Sequence, residues 1–180
     1  LRLEGTTRSH IAWAADSGTA APSNIYYAMI KTTSPATDNL AEKLAACVAE
    51  FRETSGLAAD LQITDPAALA LPRVAQTQAL HIVREALTNV QRHARAQHAW
   101  VRVERANGEA RFTVEDDGCG FDPQVVEASG HLGLAIMRAR AERSGGRWAI
   151  DSAPGTGTRM AAYFSIDSLA GPEAAEAAGP

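Results

Sequence analysis

The stretch His81–Arg95 reads HIVREALTNVQRHAR. Its apolar residues Ile82, Val83, Ala86, Leu87, Val90 and Ala94 recur at helical spacing, which predicts an amphipathic helix with a buried stripe. Glu85, Asn89 and His93 fall at i, i+4 and i+8, so a carboxylate, an amide and an imidazole stack on one flank of that helix. The flank borders the apolar stripe and belongs at a rim rather than in open water. A carboxylate can take a proton from water. An amide oxygen can ligate Mg²⁺, a hard cation usually bound alongside substrate phosphates. An imidazole can donate to phosphate oxygens. Taken alone, the flank is more simply a solvated polar face with one incidental histidine.

Working outward, the 180 residues are 46% hydrophobic and 21% charged, an ordinary globular composition of a size for one domain plus extensions. The net charge of -4 and the lack of a basic run disfavour nucleic acid as a partner. No apolar stretch approaches the roughly 20 residues needed to span a bilayer. The start lacks a basic-then-apolar leader pattern. Cys47 and Cys119 have no metal-ligand spacing and make no disulfide framework, which fits a reducing, cytoplasmic setting. A first residue of Leu points to a fragment or a trimmed chain.

Residues 1–39 read as an irregular extension or linker, with a locally apolar SNIYYAMIK at Ser23–Lys31. Leu40, Leu44, Val48 and Phe51 share a helical face from about Leu40 to Thr54, with Asp38 or Asn39 as N-cap and Gly56 as the stop. Leu57, Ala59, Leu61 and Ile63 alternate as a half-buried strand. A loop leads from Asp65-Pro66 to the central helix, expected from Pro72 or Arg73 to Ala94. A hairpin follows, with Ala99, Val101 and Val103 on one strand, Asn107-Gly108 at the turn, and Ala110, Phe112 and Val114 on the return. Gln124–Gly130 reads as a mobile segment before a helix from His131 or Leu132 to Ser144, with Leu134, Met137 and Ala141 inward and Gly145-Gly146 ending it. Trp148 and Ile150 mark a strand, Ser152–Gly157 a turn, and Met160, Ala162, Phe164 and Ile166 the last strand. The tail, residues 169–180, is too small and polar to bury much and reads as disordered. The expected fold is an α/β (α+β) two-layer sandwich over residues 40–168: one mixed, mostly antiparallel sheet with the helices on one face. The site is then expected on the opposite side of the helices and in the loops at one end.

Three further motifs carry chemistry. Asp116-Asp117-Gly118-Cys119-Gly120 follows a strand; a carboxylate there can accept from an exocyclic amine such as adenine N6, and glycines leave room for a flat base. The plain alternative is an acidic turn. Gly130-His131-Leu132-Gly133-Leu134 opens a helix, whose first N–H groups can hold phosphate, or it is an ordinary flexible helix entry. It is neither a Walker A loop nor a Rossmann fingerprint. Gly155-Thr156-Gly157-Thr158 is a tight strand connection, with a threonine hydroxyl placed near any ligand beneath the last strand.

In this order, REALTNVQRHA (Arg84–Ala94), EDDGCGF (Glu115–Phe121), GHLGLAIMRARAERSGG (Gly130–Gly146) and PGTGT (Pro154–Thr158) resemble the ATP-binding catalytic domain of sensor histidine kinases. Within the gyrase, heat-shock chaperone, histidine kinase and mismatch-repair ATPase superfamily, the nearest likeness is to nitrate/nitrite sensor kinases. The resemblance implies a Bergerat-type fold, ATP and Mg²⁺ as cofactors, and signal transduction by phosphoryl transfer. It implies Asn89 as the Mg²⁺ ligand, Glu85 as the catalytic carboxylate, and His93 as a phosphate contact. Asp116 is then the adenine-reading carboxylate, with Gly118 and Gly120 under the base. Gly130, His131, Leu132, Gly133 and Leu134 form the phosphate-contacting end of a lid, and Thr158 supports Asp116 or the base through water. Arg138 and Arg140 read as structural. The family's usual Asn at the second position of the Asp116–Gly120 motif is Asp117 here, and its usual MRERA is MRARA.

In this family the phosphoacceptor histidine sits on a separate dimerisation domain in a motif like ELHD, which does not occur in these 180 residues; His10 in RSHIAW lacks the acidic follower. The expected function is therefore transfer of the ATP γ-phosphoryl group to a histidine on another segment or chain, followed by a response regulator as partner. Dimerisation belongs to the full-length parent. The domain itself is expected in the cytoplasm, free or as the cytoplasmic part of a membrane-bound sensor, without direct membrane contact. The rival readings are an anti-sigma-factor-type serine kinase and a non-catalytic nucleotide-binding module.

Overall fold

The structure is a computed structural model, and it describes residues 39–128 and 132–166. The extension (residues 1–38), the tail (167–180), Gly130 and His131 lie outside the described residues. Helix α1, Leu40–Ser55, starts at Asn39, whose side chain accepts from the Ala41 N–H at 3.1 Å. It ends at Gly56, which takes φ +70° and donates its N–H to Arg52 O, an αL cap that costs glycine little. Strand β1, Ala58–Ile63, leads into a 3₁₀ turn at Pro66–Leu69 within the expected loop. The central helix α2 is regular over Arg73–Asn89 and then widens into a π-helical turn, Val90–Ala94. The uniform α-helix expected to Ala94 is corrected here. Arg95 closes the turn with φ +53°, and the Ala94 carbonyl, turned outward, accepts from the Cys119 N–H at 2.7 Å.

Strands β2, His98–Ala106, and β3, Glu109–Asp116, form the expected hairpin. Asn107 and Gly108 take φ +54° and +76°, the left-handed pair that a two-residue turn requires. Helix α3, Pro123–Ala128, occupies most of the segment expected to be mobile. Asp122 starts it, its carboxylate accepting from the Gln124 N–H at 2.9 Å and its carbonyl from the Val126 N–H at 3.2 Å. Helix α4, Leu132–Arg143, and strands β4, Arg147–Ser152, and β5, Thr158–Ser165, complete the elements of the described residues.

Among the described residues five strands form one sheet, in the order β1-β2-β3-β5-β4. Only β1 and β2 pair in parallel; the other neighbours are antiparallel. Alternation along the strands puts Ala99, Val101, Val103, Phe112, Val114, Met160, Ala162 and Phe164 on one face. Against them pack Leu44, Val48, Val83, Ala86, Leu87, Met137 and Ala141 of the helices in a single core. Phe112 and Phe164 meet edge to face with centroids 5.8 Å apart. The other sheet face carries cross-strand ion pairs, such as Arg102–Glu115 at 2.7 Å and Arg147–Glu109 at 2.8 Å. This is the mixed two-layer α/β sandwich. Register sets the site: Asp116, the last residue of β3, pairs with Thr158, the first of β5, on the helix side of the sheet.

Candidate functional site

A cavity of about 370 Å³ opens at that end of the sheet, a volume suited to a small-molecule ligand. It lies between α2 and α4 over β3 and β5, not on the far side of the helices as expected. Glu85, Asn89 and His93 line one wall, Asp116, Thr158 and Met160 the floor and far end, and Gly133 and Leu134 the opposite wall.

The four motifs thus meet in one place. The first turn of α4 rests on the α2 flank: a Cβ at Gly133 would stand 3.2 Å from Glu85 Oε1 and 3.8 Å from the Asn89 amide atoms. Glu85 and Asn89 are half-buried, at the rim that the amphipathic pattern predicts. His93 is exposed, since the π turn carries it off the straight i, i+4, i+8 line, yet it still borders the cavity. π turns are frequent at functional sites. Leu132 begins α4, while Gly130 and His131 fall outside the described residues.

Asp116 is 5% exposed. Its Oδ1 accepts from the Gly118 N–H at 2.8 Å. Burial pushes its carboxyl up from the ordinary value, opposed by the backbone N–H groups of Gly118 and Thr158. By sign, this group favours the folded state while protonated and loses that contribution as pH rises above about 3.9. Asp116 borders the cavity, so a ligand amine could donate to its carboxyl oxygens.

The glycines serve the protein before any base. A Cβ at Gly118 would fall 2.3 Å from the Ala94 carbonyl oxygen, and one at Gly120 would fall 2.0 Å from that of Ala153. Gly120, at φ +56°, borders the cavity; Gly118 sits behind Asp116 and is not part of the lining. Both are needed so that the β3 loop can lie against the end of α2 and the β4–β5 turn.

Asp117 has a role that spacing did not show. Its Oδ1 accepts from the Gln97 and His98 N–H groups at 2.8 and 2.9 Å, tying the loop to the start of β2. The His98 N–H, foremost, holds its carboxyl below the ordinary range. Stability from this contact is present above about pH 3.9 and is lost as pH falls through the lowered value. An Asn amide oxygen can accept the same two bonds, so the departure from the usual residue is nearly isosteric. Asp117→Asn is expected to melt within a few degrees of wild type at pH 7 and to lose less on acidification to pH 3. Equal acid losses in thermal melts of the two proteins would contradict this.

The cavity also takes in Val90, Arg92, Ala94, Cys119, Phe121 and Val126, which were not anticipated. Arg92 was within reach of sequence reasoning, because it lies seven residues after Glu85 on the same helical flank. Val126 was not, since its helix was not expected. Among the described residues no cluster of three or more His, Cys, Asp or Glu side chains could hold a metal.

With the geometry in place, the comparisons are specific. Residues 75–168, more than half of the chain, match the family described as histidine kinase-, DNA gyrase B-, and HSP90-like ATPase, and the chain belongs to that family. An uncharacterized sensor-like histidine kinase of Chloroflexus aurantiacus is 40% identical over 93 residues, covering 49% of this chain and 16% of that protein. The nitrate/nitrite sensor protein NarQ of Escherichia coli is 39% identical over 97 residues, covering 53% and 17%. The sensor histidine kinase LiaS of Bacillus subtilis is 34% identical over 121 residues, covering 67% and 32%. The chain therefore spans a third or less of the length of these relatives. A blue-light activated histidine kinase of Erythrobacter litoralis superposes with a TM-score of 0.60 at 24% identity, over 70% of this chain and 41% of that one, a likeness of fold. The similarity is to sensor histidine kinase catalytic domains broadly and does not single out nitrate/nitrite sensors.

Proposed function

We propose that the chain binds Mg-ATP in this cavity and donates the γ-phosphoryl group to a histidine on a separate dimerisation domain, as the catalytic domain of a two-component sensor kinase. The observation that carries the reading is the meeting of a buried, acceptor-rich Asp116 at one end of the cavity with the Glu85–Asn89 flank at the other. Adenine sits over Gly120 with its N6 amine on Asp116. The phosphates run toward α2 and the start of α4, where Arg92 and His93 supply donors.

The donor set fits Mg²⁺. An amide oxygen and a carboxylate are hard ligands, and this ion is commonly held by one or two protein groups plus substrate phosphates, so no dedicated cluster is needed. Asn89 is the residue that would hold it. Bound there, the ion offsets phosphate charge. Glu85 holds a proton acceptor beside the phosphate end, and the walls of α2 and α4 orient the nucleotide. Phosphoryl transfer of this kind is mostly positioning and electrostatic stabilisation. A response regulator is the onward acceptor. Of the relatives' signals, nitrate or nitrite sensing is one reading for the parent protein, supported by the likeness to NarQ.

Asn89→Ala tests the metal assignment. The residue is at a rim, so the fold is expected to survive. Calorimetric titration with ATP, with and without Mg²⁺, is expected to show the metal-dependent gain in affinity lost. Equal Mg-ATP affinity in wild type and variant would remove Asn89 from the metal site.

A further inference from the structure

Ser152, the last residue of β4, stands at a three-way junction behind the base-reading end of the cavity. Its Oγ lies 3.0 Å from the Phe121 N–H, 2.9 Å from the Gly157 carbonyl oxygen and 3.1 Å from Thr158 Oγ1. A serine hydroxyl has one proton and two lone pairs. An amide N–H only donates and a carbonyl only accepts, so Phe121 occupies one lone pair and the proton goes to Gly157. The contact with Thr158 is attractive only if Thr158 donates to the remaining lone pair. Reversing it would set the Ser152 and Gly157 oxygens lone pair to lone pair at 2.9 Å.

We propose that Ser152 is a positioning residue for base selection: by holding the Thr158 proton, it fixes the Thr158 hydroxyl as an acceptor toward the ligand, next to the Asp116 carboxylate. This inference rests on the reading of the cavity as an ATP site and goes beyond it. Thr158 is 6% exposed and borders the cavity, and it pairs directly with Asp116 across β3 and β5. The end of the cavity then offers acceptors on both strands. It suits the N6 amine of adenine, directly or through water, and opposes the O6 carbonyl of guanine. The same serine anchors the loop after Gly120 through Phe121, so the loop, the β4–β5 turn and the Thr158 rotor share one hydroxyl.

Without Ser152, Thr158 is free to turn its proton into the cavity and donate to a guanine carbonyl. In Ser152→Ala the preference for ATP over GTP, read by displacement of a fluorescent ATP analogue from the full chain, is expected to fall about tenfold, the weight of one misplaced hydrogen bond. Ser152→Thr keeps the hydroxyl and is expected to restore the preference. A merely structural serine would weaken both nucleotides alike and leave the ratio unchanged, and that result overturns the inference. If Ser152→Ala does not fold, Ser152→Cys, close in size and weak in hydrogen bonding, carries the same comparison. Failure of the wild type to bind ATP at all would count instead against the reading of the cavity.

Discussion

Incubated with γ-labelled ATP and Mg²⁺, the chain is expected to take up no acid-labile, base-stable label, although it binds the nucleotide. An acceptor must lie in line with the γ-phosphate at near-attack distance, and positioning of that kind contributes on the order of 7–11 kcal/mol to lowering the barrier. The described histidines do not meet the condition. His98 is on the sheet face away from the helices, with Nε2 2.8 Å from Asp60 Oδ2 and its ring stacked on Trp100. His81 is exposed on α2 about one turn before Glu85 and does not line the cavity. His93 borders the cavity as a proposed phosphate contact and is fixed on the π turn. Supplying the dimerisation domain of a related sensor kinase in trans is expected to restore transfer to that domain's histidine. Acid-labile label on this chain alone would contradict the account and make His10 the first residue to replace.

The second large effect is in base selection. ATP is expected to displace a fluorescent ATP analogue at concentrations two or more orders of magnitude below those GTP requires. Guanine would bring a carbonyl oxygen against Asp116, a carboxylate that is 5% exposed. Two acceptors facing each other leave buried polar groups unpaired. A site built to bond a donor rejects the analogue lacking it by several kcal/mol. Comparable displacement by the two nucleotides would remove Asp116 as the base reader.

Much of this was legible because local chemistry and burial agreed. Asn39, Gly56 and Asn107-Gly108 are placed by capping and turn rules that act within a few residues. The alternation in β2, β3 and β5 survives because one sheet face is buried and the other is not. The misses have physical causes as well. Helix α3 has six residues, too few to announce itself by periodicity, and forms in tertiary context. The π turn answers to a partner distant in sequence, the Cys119 N–H that takes the Ala94 carbonyl. Glycines 118 and 120 were read as room for a base, whereas the backbones of Ala94 and Ala153 make the first claim on that space. Strand order and the meeting of α2 with α4 are long-range facts, so the motifs pointed to residues that border the cavity, such as Glu85, Asn89, Asp116 and Thr158, without showing that it lies between the helices.

The central claim is that the cavity between α2 and α4 is a Mg²⁺-dependent ATP site. Calorimetric titration of the wild-type chain with ATP, in Mg²⁺ and in chelator, tests it most directly. The account predicts saturable binding of one nucleotide per chain, tighter with the metal. Absence of saturable heat under both conditions, or affinity indifferent to Mg²⁺, would contradict it.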